Sequence, residues 1–358
     1  MRSEALPPVD RNYKVMEIKP HRRWPKIAML IMAITVVIMT GGATYAIQSL
    51  SPVDAGSNQQ HRFIISEGQS AGTIGRALEE AKLIRNASIF QLYTKLTGNN
   101  SRLQAGGYIL KQSQSVSEIV EHISSGKTDE VNVTVLPGLT LKELADSNVK
   151  GSLAQQGFSA QEIAKAFHTN VSSPVLVGNN GNFEGYLYPE TYKIMANNNL
   201  DTAVRMSIDE LNNQIKKRGL EDKLKQQGLS LRDGIILASI VQKEVNHFDD
   251  QRQVAQVFLK RLKENIVLGS DVTFLYAAKL EDRAPTVNDD SPYNTRKHAG
   301  LPPGPIANFA IQALEAVANP ASGDYLYFVA GDDGKTYFAK TEAEHLDNVA
   351  KYCKTLCQ

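Results

Sequence analysis

The chain has 358 residues, of which 39 are basic and 38 acidic, so its formal net charge is +1. This length allows two ordinary domains, each with its own core. The balanced charge argues against a nucleic-acid-binding protein, because such proteins usually carry a strong basic excess. The two cysteines, Cys353 and Cys357, are too few for a disulfide framework, and we interpret them as incidental.

An apolar segment near the N-terminus predicts a membrane-spanning helix. Residues 27–47 contain no charged residue, and about 20 helical residues cross the ~30 Å hydrocarbon core of a bilayer. Residues 1–26 hold seven basic and three acidic residues, whereas the first charge after the span is Asp54. The positive-inside rule therefore places residues 1–26 in the cytoplasm and the chain after Ser51 outside it, in a single-pass protein of the inner (cytoplasmic) membrane. A cleaved signal peptide and a buried core helix are the alternatives.

A short polar segment and a small module follow the predicted span. Residues 48–60 are small and polar, which is typical of a linker. From residue 61 to residue 134, short β-rich runs alternate with helical patterns, which indicates a small α+β module. The predicted strands are 61–66, 106–110 and 131–136, and the predicted helices are 70–81, 88–97 and 116–124.

The second half of the chain, residues 135–358, predicts a longer and mainly helical domain. Apolar positions among many charges predict an amphipathic helix at 201–225. A capping-box pattern at Ser230 begins another helix, whose apolar run from 235 to 245 indicates burial. The elements predicted after it are a helix at 251–264 and a β-hairpin of strands 325–330 and 335–339. The expected fold class is therefore α+β, with an N-terminal transmembrane helix, a small module and a mainly helical domain that carries a β-hairpin.

Glu244, near the end of the buried helix, is the candidate catalytic acid. Its neighbours at i−3, i−4 and i−7 are all apolar, so its side chain should lie over an apolar stripe. Because burial favours the neutral acid, we expect its pKa to rise from about 4.3 toward about 6. Cleavage of a glycosidic bond needs such an acid, protonated at neutral pH. The alternative is an ion pair between Glu244 and Lys243 or Arg252 at the helix end.

The motifs give little support for a metal or cofactor. Two Glu-x-x-His sequences, at 244–247 and 342–345, look like halves of a di-metal site. That site needs a four-helix bundle, and the Gly- and Pro-rich segment 290–335 argues against one. We therefore expect neither a metal nor a cofactor.

Several segments resemble, in the same order, the endolytic murein transglycosylase (YceG-like) family. The matching segments are 184–192 (EGYLYPETY), 237–245 (LASIVQKEV), 253–262 (QVAQVFLKRL), 270–273 (SDVT), 292–295 (PYNT), 300–306 (GLPPGPI) and 325–329 (YLYFV). Three positions depart from the family's pattern: Gln242 stands where the family has glutamate, Val272 where it has proline and Gly269 where it has glutamine. We expect these departures to affect rate and strand preference more than activity itself.

The resemblance implies a division of the chain and a reaction. Residues 61–134 would form a LysM-like glycan-binding module, and residues 135–358 would form the transglycosylase domain. Glu244 would be the catalytic acid. Its substrate would be the β-1,4 bond between N-acetylmuramic acid and N-acetylglucosamine within nascent glycan strands of peptidoglycan. Cleavage would leave 1,6-anhydromuramic ends and terminate strand elongation.

The resemblance also implies cleft residues and partners. The candidates for binding sugar hydroxyls and amides are Glu184, Asp271, Tyr293, Asn294 and Thr295. The expected partners are glycan strands and the membrane, and peptidoglycan synthases are candidate partners. Two other functions stay open. One is a non-catalytic, membrane-tethered glycan-binding scaffold for cell-wall synthesis, and the other is a hydrolytic muramidase that uses Glu244 with a second acid such as Asp271.

Overall fold

The computed structural model describes residues 24–176 and 181–355. Its helices are α1 (Trp24–Leu50), α2 (Ala71–Glu80), α3 (Ala87–Leu96), α4 (Val116–Ser124), α5 (Leu141–Ala145), α6 (Ala160–Phe167), α7 (Leu200–Arg218), α8 (Leu220–Gln226), α9 (Leu231–Glu244), α10 (Phe248–Lys263), α11 (Asp271–Leu280), α12 (Ile311–Ala318) and α13 (Glu342–Tyr352). Its strands are β1 (Gln60–Ile65), β2 (Gly106–Lys111), β3 (Glu130–Thr134), β4 (Thr191–Met195), β5 (Tyr327–Ala330) and β6 (Thr336–Ala339). This mixed, mainly helical fold with few strands agrees with the expected α+β class.

Helix α1 contains the whole apolar segment predicted at 27–47. An 18-residue window within its part from Lys26 to Leu50 has a mean hydropathy of 2.1, and no residue of that window is buried. Length and composition therefore allow α1 to cross a bilayer. Most of the preceding charged segment, predicted to be cytoplasmic, lies outside the described residues.

The described residues form two compact units. The first comprises residues 24–58, 70–101 and 112–120, and the second comprises residues 59–69, 102–111 and those from 121 onward. The segment predicted as one small module, 61–134, is thus divided, with α2 and α3 in the first unit and β1, β2 and β3 in the second. Its LysM-like character stays a prediction.

Helices α2 and α3 form a close pair within the first unit. The side chains of Ser70 and Asn86 cap the two helices by accepting hydrogen bonds from backbone N–H groups of the first turns. Gly75 lies where the helices touch, because a Cβ there would be 2.9 Å from the Phe90 ring. Phe90 is fully buried, so this contact forms the centre of the pair.

The strands of the second unit form three antiparallel pairs among the described residues: β1 with β2, β3 with β4, and β5 with β6. The last pair is the predicted hairpin, with Phe328 opposite Phe338, and that prediction is confirmed. In the second pair, Val133 lies opposite Tyr192. A strand of the predicted small module therefore pairs with a strand from the part assigned to the helical domain.

Helix α9 lies at the centre of the helical core, with α8, α10, α11 and α12 packed against it. Every residue from Gly234 to Val241 is buried, as the apolar run predicts. The single helix predicted at 201–225 is wrong, because α7 and α8 are separate helices. Gly219 lies between them with φ +60° and ψ +37°, a left-handed conformation that ends a helix.

Two segments that are distant from each other in sequence meet beside α9. The hydroxyl of Ser239, within α9, accepts a hydrogen bond of 3.0 Å from the backbone N–H of Ile306. Gly185 has φ +78°, and a Cβ there would be 2.3 Å from Cβ of Pro305. The proline-rich loop at 302–306 is therefore held between α9 and the segment around Gly185.

The cysteine that follows α13 corrects one interpretation from the sequence. Cys353 is disulfide-bonded and only 4% exposed, so it is not incidental. The other cysteine of the chain, Cys357, lies outside the described residues.

Candidate active site

Glu244 is the last residue of α9. The helix begins at the predicted capping box, in which Ser230 and Asp233 bind each other's backbone N–H groups. Its buried middle fixes the position of the helix, and the extended backbone of Val245 ends it. These features place the carboxyl group of Glu244 at the wall of a cavity.

A serine from a different element binds this carboxyl group. Ser270 lies directly before α11 and is 3% exposed. Its hydroxyl donates a hydrogen bond of 2.5 Å to Oε1 of Glu244. Although Ser270 is the N-cap residue of α11, its side chain makes no cap hydrogen bond with that helix. The hydroxyl is directed to Glu244 instead.

The surroundings of Glu244 raise its pKa to about 7. Burial is the main cause, and the negative charge of Asp271 adds to it, whereas the hydrogen bond from Ser270 favours the carboxylate and opposes both. The predicted direction is therefore confirmed. The alternative ion pairs are wrong, because Lys243 donates to the carbonyl of Gly138 and Arg252 to carbonyls after α12.

The cavity beside Glu244 has a volume of about 530 Å³. Residues from the turn before α11, the β5–β6 hairpin and α13 form its walls. The polar and aromatic side chains that line it are Glu244, Arg261, Asp271, Arg296, Tyr327, Phe328, Glu342 and His345. The ring of Tyr327 lies between two of them, with the Arg261 guanidinium 5.1 Å from its centroid and His345 stacked at 5.3 Å.

Asp271 is the predicted cleft residue that the structure places in the same cavity as Glu244. Its carboxylate forms an ion pair with Arg296, and both side chains are about half exposed. An acidic and basic pair at the cavity wall can bind neutral polar groups. The charge of Asp271 also raises the pKa of Glu244.

Asn294 and Thr295 are buried behind the cavity and bind protein groups. The Asn294 side chain donates to the carbonyls of Val287 and Asp289 and accepts from the N–H of Arg296. The Thr295 hydroxyl accepts a hydrogen bond of 3.2 Å from the N–H of Ser270. Thr295 thus supports the serine that binds Glu244, and Asn294 shapes the loop that carries Arg296.

Glu184 and Tyr293 line a second, smaller cavity of about 150 Å³. The carboxylate of Glu184 accepts hydrogen bonds from the N–H of Leu141 at 3.2 Å and from the Tyr276 hydroxyl at 3.4 Å. Burial raises the pKa of Glu184 to about 8. The structure therefore brings Asp271, but neither Glu184 nor Tyr293, to the cavity of Glu244.

Two of the three departures from the family's pattern have a structural explanation. The side-chain oxygen of Gln242 accepts a hydrogen bond of 2.9 Å from the N–H of Ala310, the N-cap residue of α12. Glutamate would accept the same bond, so either residue fits. Gly269 has φ +67°, and a Cβ there would be 2.9 Å from Nη1 of Arg261. Glycine thus allows the guanidinium to lie against this turn.

Three residues that line the cavity were not singled out from the sequence: Arg261, Arg296 and Tyr327. Nor was Ser270, which binds Glu244. Ser270 stands beside Asp271 in the matching segment 270–273, and Arg261 lies in 253–262, so these matches could have marked both. His345 was noted in the sequence as part of the Glu-x-x-His at 342–345, but not as a cavity residue. Among the described residues, no three His, Cys, Asp or Glu side chains converge as a metal site.

Comparisons with known proteins point to one family. A model of the YceG-like family matches residues 63–351. Two curated relatives carry the name endolytic murein transglycosylase. The Streptococcus pneumoniae D39 protein is 33% identical over 87% of this chain and 62% of its own length. The Bacillus subtilis 168 protein is 32% identical over 88% of this chain and 91% of its own length.

The chain spans less than two thirds of the streptococcal relative, and most of the bacillar one. A crystal structure of a YceG-like protein from Listeria monocytogenes covers 81% of this chain and 99% of its own, with 32% sequence identity and a TM-score of 0.51. The segment matched by the family model includes Glu244. The chain therefore belongs to the YceG-like family.

Proposed function

We propose that this chain is a membrane-anchored endolytic lytic transglycosylase. It would cut the β-1,4 bond between N-acetylmuramic acid and N-acetylglucosamine within glycan strands of peptidoglycan. The observation that carries the proposal is Glu244, a carboxyl group with a pKa of about 7 at the wall of a cavity of about 530 Å³. The relatives' shared name, endolytic murein transglycosylase, supports the substrate class.

The proposed reaction uses Glu244 twice. The protonated carboxyl first donates its proton to the glycosidic oxygen, and the bond to the anomeric carbon of N-acetylmuramic acid breaks. The resulting carboxylate then accepts the proton of the C6 hydroxyl of the same sugar as that oxygen bonds to the anomeric carbon. The 1,6-anhydro ring forms without water, and the carboxyl returns to its protonated state. The intramolecular attack avoids the entropy cost of bringing in a second reactant.

Other residues of the cavity would prepare this chemistry. Ser270, supported by Thr295, would hold the carboxyl group of Glu244 in place. Asp271 and Arg296 would bind sugar hydroxyls and amides at the cavity wall. We keep Glu184 and Tyr293 as candidates for sugar binding at the second cavity.

The products of purified, uncrosslinked glycan strands test the proposal. Mass spectrometry should find fragments that end in 1,6-anhydromuramic acid, about 18 Da lighter than hydrolysed ends because one water is not taken up. Glu244→Gln keeps the size of the side chain but cannot transfer a proton, so turnover should fall about a hundredfold or more.

Gln242→Glu is the matched control for this experiment. Gln242 lies in the same helical turn as Glu244, but its side chain binds the N–H of Ala310. A carboxylate there accepts the same bond, and the start of α12 favours negative charge. This variant should keep near-normal activity. Near-normal activity of Glu244→Gln would contradict the proposed mechanism. If strands bind but no new ends appear, the chain is a non-catalytic scaffold.

A hydrolytic muramidase is the second candidate, because Asp271 lines the same cavity as Glu244. Such an enzyme needs a second group that activates water or forms a covalent intermediate. The ion pair with Arg296 engages the carboxylate of Asp271, which favours the single-acid mechanism. Reducing ends that take up oxygen from labelled water would favour the muramidase.

We also propose that α1 anchors the chain in the cytoplasmic membrane, with residues 1–26 in the cytoplasm and the candidate active site outside. The length and mean hydropathy of α1 support the anchor. The excess of basic residues before Ile27 supports the orientation.

A further inference from the structure

The start of helix α3 is hydrogen-bonded to the C-terminal end of α1 and to the segment after it. The Asn86 side chain, which caps α3, donates a hydrogen bond of 3.3 Å to the hydroxyl of Tyr45 in α1. The guanidinium of Arg85 donates to the carbonyls of Pro52 at 2.8 Å and Val53 at 2.9 Å. The segment after α1, predicted to be a linker, is therefore bound to the first unit close to the helix end.

These contacts set the depth of α3 relative to a bilayer that α1 crosses. Tyr45 lies two residues, or about 3 Å along the helix, before the end of the apolar stretch 27–47. Tyrosine at this position is typical of the boundary between hydrocarbon and headgroups. Because Asn86 directly precedes α3, the helix begins at the depth of the membrane interface.

The outward face of α3 carries exposed apolar side chains. The helix packs into the first unit through Phe90 and Thr94, both fully buried. At ~100° per residue, Leu92 points in the direction opposite to these two. Leu92 is 50% exposed and Leu96, one turn further, is 77% exposed. Lys95 is exposed beside them.

We propose that the face formed by Leu92 and Leu96, with Lys95 beside them, lies against the outer leaflet of the membrane that α1 spans. The two leucines would enter the boundary between headgroups and acyl chains, and the ammonium group of Lys95 would bind lipid phosphates. This inference rests on the proposed membrane anchor. Because both α1 and α3 would contact the bilayer, the first unit would have one fixed orientation on it.

Tryptophan fluorescence of the full-length chain in lipid nanodiscs tests this contact. Trp24→Phe removes the single tryptophan of the chain, and Leu96→Trp then places a probe on the proposed face. We expect a blue-shifted emission and a roughly twofold loss of intensity when ordinary lipid is replaced by brominated lipid. Glu79→Trp, at an exposed position of α2 in the same unit, should show neither effect.

Native Trp24 in the unmodified chain reports on the anchor itself. If brominated lipid quenches Trp24 but not the probe at position 96, the anchor stands and the inference is wrong. If neither is quenched, both are wrong. Equal quenching at positions 79 and 96 would contradict a specific face. A blue-shifted but unquenched probe at position 96 would mean that protein, not lipid, covers it.

Discussion

Two neighbouring residues act on Glu244 in opposite directions. The Ser270 hydrogen bond lowers the pKa of the carboxyl group, and the charge of Asp271 raises it. Burial exceeds both and brings the pKa to about 7. The fraction of Glu244 that is protonated near neutral pH therefore depends on which of the two residues is changed.

We expect Ser270→Ala and Asp271→Asn to shift the pH dependence of activity in opposite directions. A general acid acts in its protonated form, so kcat/KM should fall as the pH rises through the pKa of Glu244, about 7. Loss of the Ser270 hydroxyl disfavours the carboxylate, raises this pKa and moves the fall to higher pH. Loss of the Asp271 charge lowers the pKa and moves the fall to lower pH.

Initial rates on purified glycan strands from about pH 5 to about pH 9 measure both shifts. Thr273→Ser, which keeps the hydroxyl that bonds to the Ser270 carbonyl behind the site, is the control and should leave the profile in place. Shifts of the same sign for Ser270→Ala and Asp271→Asn would show that neither residue acts on Glu244 as described.

The sequence predicted Glu244 but not its partner, for a physical reason. The apolar neighbours of Glu244 lie within its own helix, and helical periodicity reveals them. Ser270 is 26 residues away in sequence, and a serine before a helix normally caps that helix. Its use as a donor to Glu244 depends on how α9 and α11 pack, which no local pattern contains.

At the scale of elements, several helices and the strands of the hairpin were predicted well, whereas the single helix predicted at 201–225 was wrong. The helix predicted at 116–124 has the observed bounds of α4, and the hairpin strands pair as expected. Three helices that were not predicted, α5, α6 and α13, begin at capping boxes whose Ser or Thr and Glu stand three residues apart. That signal was present in the sequence. Strand β4 was not predicted, since its partner β3 is far away in the chain.

The contact between Gly185 and Pro305 gives a prediction at this scale. Gly185→Ala should lower the free energy of unfolding for two reasons. An alanine at φ +78° is strained by about 1–2 kcal/mol. Its Cβ would also meet Pro305 at 2.3 Å, and such overpacking costs about 1–3 kcal/mol.

Gly228→Ala separates the cost of backbone strain from the cost of overpacking. Gly228 has a nearly equal φ of +79°, but no atom lies within 4 Å of the added Cβ. Chemical denaturation should show that Gly185→Ala is less stable than Gly228→Ala by about 1–3 kcal/mol. Equal stability of the two variants would mean that the loop at 302–306 moves away without cost.

At the scale of the whole molecule, the proposed orientation in the membrane rests on the charges around α1. External protease added to intact spheroplasts should degrade the chain after Ser51 and spare a tag at the N-terminus. Detergent-permeabilised spheroplasts, in which the N-terminal tag is also lost, serve as the control. A protected C-terminal part would overturn the orientation, and release of the protein from the membrane fraction would overturn the anchor.

The sequence could not predict how the segments assemble. The pairing of β3 with β4 crosses the predicted boundary between residues 134 and 135. Glu184 and Asp271 both belong to matching segments, yet they line different cavities. The order of motifs along a chain does not give the distances between them. In the fold, the five candidate cleft residues therefore fall into three groups: one lines the Glu244 cavity, two lie buried behind it, and two line the second cavity.

Helix α13 forms one wall of the Glu244 cavity through His345, Leu346 and Val349, yet none of its residues, all of them described, is buried. A wall that contributes so little to the core can change its sequence with little effect on folding. Substitutions in α13 can therefore alter the width and polarity of the cleft while α9 and Glu244 stay in place. Within the family, we expect sequence changes in this helix to alter glycan preference faster than the fold changes.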